Sequence, residues 1–198
     1  MTKALIVIDV QNDFCPNGAL AVAGGDEIVG GINALMGGFE TVVLTQDWHP
    51  ADHASFADNH LSAAPFSVVQ MPYGPQVLWP RHCVQGSDGA AFHPTLNVAS
   101  AQMIIRKGFR AQIDSYSAFF ENDRSTPTGL HGYLQGRGVK DVVLVGLALD
   151  YCVAYSGLDA AKLRYGVTVL SDLCRAIDLY GSLADMQAAM RAAGVVLE

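Results

Sequence analysis

Short apolar runs recur along the chain without strict alternation: Ala4–Ile8, Thr41–Thr45, Gln102–Arg106, Asp141–Leu147 and Val167–Ser171, with a weaker run at Val195–Leu197. Runs rich in Val, Ile and Leu that do not alternate predict strands buried on both faces of a parallel sheet. Helical patterns lie between them. Asp26–Met36 follows a Gly-Gly pair. Thr128–Gln135 places Leu130 and Leu134 at helical spacing ahead of Gly136-Arg137-Gly138, a stop signal. Tyr151–Arg164 runs to Tyr165-Gly166, and Ser182–Ala193 ends at Gly194. Strands alternating with helices predict βαβ units with right-handed crossovers. The expected fold is α/β: one domain over residues 1–198, with an open, mostly parallel β-sheet and helices on both faces. The interval Asp47–Ala99 breaks that rhythm. It holds Pro50, Pro65, Pro72, Pro75, Pro80 and Pro94, both tryptophans and five of the six histidines. A long stretch without its own elements inside a compact domain is usually functional, so this segment is expected to help build the site.

Composition narrows the class. A chain of 198 residues that is 51% hydrophobic and 16% charged can bury one core and is not disordered. Twelve Lys and Arg against nineteen Asp and Glu give a net charge of −7, which argues against a nucleic-acid partner. No apolar run approaches the ~20 residues needed to span a bilayer. The longest, Val142–Leu149, is strand-sized and interrupted by Gly146, and Leu5–Ile8 runs into Asp9 rather than a small-residue cleavage site. A soluble cytoplasmic protein with no membrane partner is predicted; monomer and homo-oligomer both stay open. Cys15, Cys83, Cys152 and Cys174 form no C-x-x-C pair and no dense framework, so disulfides are not expected and each cysteine is by default a small buried hydrophobe.

Ligands of open α/β sheets bind beyond the carboxyl ends of the strands, so the polar residues that follow each apolar run carry the candidate chemistry. The first run ends at Asp9, the second in Asp47-Trp48-His49, the third at Lys107-Gly108 and the fourth in Leu147-Ala148-Leu149-Asp150-Tyr151-Cys152. A carboxylate, an ammonium and a thiol on one rim are the ingredients of nucleophilic catalysis. Cys152 is expected in the first turn of the following helix, where backbone N–H groups and Lys107 would lower the thiol pKa. Asp9 can take the thiol proton and return it to a leaving amine. A second constellation is Asp47-x-His49 with His53, and His82 in Trp79-Pro80-Arg81-His82-Cys83; imidazoles with a carboxylate suit Zn²⁺, Fe²⁺ or Mn²⁺. Surface histidines with loop-capping roles are the plainer alternative, and His60, His93 and His131 take that reading, His131 as a solvated helix residue. Phe14 and Trp79 sit close to candidate site groups, where a ring-shaped substrate can stack.

Five motifs then recur in order over nearly the whole chain: Ile8-Asp9-Val10-Gln11-Asn12-Asp13-Phe14; Thr45-Gln46-Asp47-Trp48-His49-Pro50 with His53-Ala54-Ser55-Phe56; Leu78-Trp79-Pro80-Arg81-His82-Cys83-Val84-Gln85-Gly86; Lys107-Gly108 with Asp114-Ser115-Tyr116-Ser117-Ala118-Phe119; and Gly146-Leu147-Ala148-Leu149-Asp150-Tyr151-Cys152-Val153. With these the sequence resembles the nicotinamidase/pyrazinamidase group of the isochorismatase-like cysteine hydrolases. The resemblance implies Cys152 as nucleophile, Asp9 as acid/base and Lys107 as thiolate stabiliser. It implies one divalent metal, zinc first with Fe²⁺ or Mn²⁺ as alternatives, on Asp47, His49 and His82, while His53 matches a ligand of some members only. It implies an oxyanion hole from the Ala148 and Cys152 N–H groups, with a cis peptide between Leu147 and Ala148. Phe14 and Trp79, with Leu20, Tyr116 and Leu147, would line the pocket. The substrates implied are nicotinamide and pyrazinamide, in the recycling of NAD breakdown products. Other cysteine hydrolases of this fold, a metal-hydroxide hydrolase and a non-enzymatic binding module are the competing readings; bound metal and the effect of Cys152→Ala separate them.

Overall fold

The computed structural model describes residues 2–198. Eight strands and four helices follow in chain order: β1 (Thr2–Ile8), α1 (Val29–Met36), β2 (Thr41–Asp47), β3 (Val68–Met71), β4 (Gly74–Val77), β5 (Met103–Lys107), α2 (Leu130–Gly136), β6 (Val139–Leu147), α3 (Ala154–Lys162), β7 (Gly166–Arg175), α4 (Ser182–Ala192) and β8 (Val196–Leu197). Six strands form one sheet in the order β5-β2-β1-β6-β7-β8, and every pairing in it is parallel. This is the α/β sheet that the non-alternating runs predict. Every residue of β2 and the last five of β1 are buried, as central strands require.

The order of strands fixes where a site can form. The chain moves outward from β1 to β2 to β5, then crosses back to β6 on the other side of β1 and moves outward again through β7 to β8. Right-handed crossovers that run in opposite directions from the middle leave the loops after β1 and β6 diverging, and that crevice is where ligands of such sheets bind. The two strands meet closely there. Gly146 stands at φ 118°, and a Cβ built on it would fall 2.1 Å from the Ile8 carbonyl oxygen, so no larger residue fits at the switch point.

Several elements differ from their sequence reading. The helix predicted from Asp26 begins at Val29, after turns over 23–28, and the one predicted from Thr128 begins at Leu130, after a bridge at Pro127 and a left-handed Gly129. The strand predicted over Val167–Ser171, β7, continues to Arg175 after a register shift in its pairing with β6, which places Cys174 inside the strand. The interval 47–99 is not without elements: β3 and β4 make an antiparallel hairpin, and 3-10 turns stand at Ala57–Asn59 and Val98–Ser100. Cys152 does not open an α-helix. It lies in a π-helical turn, Leu149–Val153, whose wide spacing shows in the Val153 N–H bond to the Ala148 carbonyl at 3.1 Å; α3 follows directly. His131 is half-buried rather than solvated, with Nδ1 2.9 Å from the Tyr165 hydroxyl. All four cysteines are free and buried.

Candidate active site

Asp9 is the first residue beyond β1, and its φ of 49° turns the chain sharply there. Its N–H donates to Thr45 Oγ1 at 3.2 Å, and that hydroxyl donates back to Asp9 Oδ1 at 2.6 Å, so β2 holds the carboxyl group in one orientation. Lys107 ends β5, in register with Asp47 at the end of β2. Its fully buried ammonium lies 2.8 Å from Asp9 Oδ2, a charge contact rather than an aligned hydrogen bond, and donates to Asp47 Oδ1, to the Ser115 carbonyl at 2.9 Å and to Cys152 Sγ at 3.4 Å. Three strand ends and the π turn thus deliver one ammonium, two carboxylates and one thiol to a single buried point.

Burial and charge set the protonation of this group. Burial pushes the Lys107 pKa down, but Asp47 and Asp9 outweigh it, so the ammonium stays charged. Burial likewise pushes Asp47 up, yet Lys107, His49 and His82 together hold it well below the ordinary carboxylate range. Asp9 goes the other way: burial raises its pKa, and Lys107 only partly offsets that. The Cys152 thiol is raised well above its ordinary value, first by burial and then by Asp9 and Asp47, with Lys107 opposing. The expected lowering of this thiol therefore does not occur in the resting site. Desolvation and two acids exceed one ammonium there.

Asp47 turns its other oxygen to the imidazoles. Oδ2 lies 3.5 Å from His49 Nε2 and 3.8 Å from His82 Nε2, and all three residues are buried. His49 Nδ1 is 2.8 Å from the Gly108 carbonyl and His82 Nδ1 is 2.7 Å from the Pro80 carbonyl. Carbonyls only accept, so each Nδ1 carries the hydrogen, and each Nε2 faces Asp47 with the lone pair that a neutral ring keeps there. Three lone-pair donors converging with outer-sphere carbonyls behind them fit a divalent cation. The site attracts positive charge in any case: Asp47 raises the His49 pKa against the opposing effect of burial. His53 stands behind this set. Its Nδ1 is 2.7 Å from Ser55 Oγ and its Nε2 3.3 Å from the Ile113 carbonyl, and it forms a second close group with His49 and Asp114.

A cleft opens onto both constellations. It is lined by Phe14, Leu20, Trp79, Tyr116, Ala148 and Cys152, with Asp47, His49 and His82 on its wall. Trp79 Nε1 donates to the Tyr116 hydroxyl at 3.0 Å, and Gln76 Nε2 donates to the same oxygen at 2.8 Å, which fixes both rings. The Leu147–Ala148 peptide is cis. Leu147 itself is fully buried and is absent from the lining. Its side chain packs instead toward Gly25. The lining also holds Asp114, Tyr151 and Ile177, which the sequence reading did not assign. Asp114 and Tyr151 lie inside recurring motifs and so carried a signal; Ile177 carries none.

Known proteins extend this picture. The model of the isochorismatase domain family matches residues 3–198. A nicotinamidase of Acinetobacter baylyi is 57% identical over 192 residues, covering 97% of this chain and 90% of that protein. Among solved structures, a nicotinamidase/pyrazinamidase of Acinetobacter baumanii superposes with a TM-score of 0.98 at 55% identity, covering 99% of this chain and 95% of that one. A pyrazinamidase of Pyrococcus horikoshii solved in complex with zinc superposes with a TM-score of 0.79 at 34% identity, covering 100% of this chain and 99% of that one.

Proposed function

The chain belongs to the isochorismatase family, and from that premise we propose that it hydrolyses nicotinamide to nicotinate and ammonia through a thioester on Cys152, with pyrazinamide as a second substrate. The observation that carries the reading is Lys107 Nζ set 2.8 Å from Asp9 and 3.4 Å from Cys152 Sγ at the floor of an aromatic-walled cleft. The names of the Acinetobacter relatives supply the substrate class.

The residues divide the work as follows. Phe14 and Trp79 hold the flat ring. Asp9, poised by its raised pKa, accepts the Cys152 proton as Sγ attacks the carboxamide carbon. Lys107 offsets the negative charge on that sulfur and keeps Asp9 in line. The N–H groups of Ala148 and Cys152 receive the oxyanion. Asp9 returns the proton to the amide nitrogen, the C–N bond breaks, and ammonia leaves an acyl-sulfur bond behind. Asp9 then takes a proton from water, whose oxygen attacks the thioester carbon. The C–S bond then breaks, Asp9 returns its proton to the Cys152 sulfur, and the acid departs as nicotinate after giving its own proton to solvent.

Asp47, His49 and His82 would hold a divalent cation, Zn²⁺ before Fe²⁺ or Mn²⁺. The zinc-bound Pyrococcus pyrazinamidase and the donor set support that choice. When bound, it supplies a Lewis-acid contact that orients the pyridine nitrogen. Four free, buried cysteines suit a reducing compartment, which supports a cytoplasmic role in recycling NAD breakdown products.

Ammonia release from nicotinamide by purified protein, with and without prior chelation, tests the reading. Release that falls on chelation and returns with Zn²⁺, Fe²⁺ or Mn²⁺ is expected. Release that survives complete metal removal would keep the amidase and discard the metal set; none from metal-loaded protein would discard the substrate.

A further inference from the structure

One buried carboxylate near the site has no part in the chemistry above. Asp150 precedes Cys152 by two residues and is 1% exposed, and no cation of the described residues pairs with it. Its partners all come from the segment that runs from the end of β7 to the first residue of α4. Oδ1 accepts the Ile177 N–H at 3.0 Å, and Oδ2 accepts the Asp178 N–H at 2.7 Å and the Ser182 hydroxyl at 2.5 Å. Ser182, held to Asp150 in this way, lines a surface pocket together with Tyr151.

The segment so held is not one the backbone would choose alone. Asp178 and Tyr180 both stand in the left-handed region, at φ 54° and 55°, followed by Gly181 at 87°. Such conformations in non-glycine residues persist only where surrounding structure determines them. Tyr180 is 88% exposed, so burial of its own side chain does not hold it there. The segment nonetheless delivers Ile177 to the lining of the catalytic cleft, where Tyr151 also stands.

We propose that Asp150 is a positioning residue: it clamps Ile177 through the backbone, and the Ile177 side chain so placed sets how tightly and how selectively the cleft holds the substrate ring. Although Asp150 shares the π turn of Cys152, none of the clamp's hydrogen bonds reaches Asp9, Lys107, the Cys152 thiol or the Asp47, His49 and His82 set. The clamp therefore acts on binding and not on the chemical step. The inference rests on the proposed amidase reading for its kinetic readout, and on the geometry alone for its structural one.

Asp150→Asn keeps the shape of the side chain and one acceptor oxygen, but its NH₂ cannot accept from the Asp178 N–H and the Ser182 hydroxyl. The expected result is a rise in the nicotinamide KM of about tenfold, the equivalent of one lost charge-assisted bond, with kcat within about twofold. Hydrogen exchange at the Ile177 and Asp178 amides, followed in the same variant without substrate, should speed up by about tenfold or more. Ser182→Ala, which removes a single partner, should move both readouts the same way by less. Ile177→Ala should raise the KM for nicotinamide relative to that for a ring-alkylated nicotinamide. A fall in kcat at unchanged KM, wild-type exchange rates in Asp150→Asn, or unchanged selectivity in Ile177→Ala would each overturn the clamp. A wild-type protein that releases no ammonia from nicotinamide would instead overturn the amidase reading, and the exchange measurement would still decide the clamp.

Discussion

In the proposed mechanism one proton passes between Cys152 and Asp9, and burial raises the pKa of both groups, which sets the expected response to substitution and to pH. Cys152→Ala removes the nucleophile and leaves the metal ligands untouched, so turnover should vanish while bound zinc, measured by elemental analysis, stays at the wild-type level. Residual turnover near the wild-type rate would move the chemistry to a metal-bound hydroxide. Asp9 must be unprotonated to accept the thiol proton. Because burial raises its pKa, activity is lost as pH falls through a value above the ordinary ~3.9 of an aspartate. A pH profile of kcat/KM should show its acid limb displaced upward; a limb at or below ~3.9 would exclude Asp9 as the base. The strand-end residues were legible in the sequence because each directly follows an apolar run, and runs of that kind end on one rim. The charge state of the thiol was not. It depends on how far burial exceeds the effect of Lys107, which no spacing encodes. Ile177 was invisible for a related reason, since Asp150 reaches it across 27 residues by a tertiary contact.

Elements were legible where apolar runs were long, and their edges were not. β1, β2 and β6 stand out because both faces are buried, whereas the hairpin of β3 and β4 is half polar, carries Pro75 and pairs only with itself. The turn from β5 shows how an element end serves the site. Gly108 follows Lys107 at φ 67°, and a Cβ built on it would lie 2.3 Å from His49 Cε1. A rigid ring cannot yield there, and the same glycine's carbonyl orients His49 Nδ1. Gly108→Ala should therefore turn the imidazole away from Asp47 and weaken zinc binding about 10- to 100-fold, the usual cost of disturbing an outer-shell partner. Competition with a chelator measures this directly, and an unchanged affinity would remove His49 from the metal set.

Across the whole molecule, the site joins segments that lie far apart in the chain: the end of β1, the end of β2, the loop bearing His82, the end of β5 and the turn after β6. Buried side-chain bonds already tie some of these together. Gln11 Nε2 donates to the Asp47 and Ala90 carbonyls at 2.9 Å each, and Asp13 Oδ2 accepts the Cys83 N–H at 2.7 Å beside His82. A cation on Asp47, His49 and His82 adds a further tie, between β2 and the loop bearing His82, and would bind only the folded arrangement. Folding free energy then gains by mass action, about 2.7 kcal/mol at a hundredfold excess over Kd. For a chain of this length that corresponds to a rise in Tm of roughly 5–10 °C. Thermal unfolding of the chelated protein should show this shift on adding Zn²⁺, and His82→Ala should lose it, because two remaining ligands on one strand end no longer bridge to the distant loop. An equal zinc shift in His82→Ala would mean the cation is held elsewhere. No shift in the wild-type protein would mean that the three lone pairs converge without holding a metal.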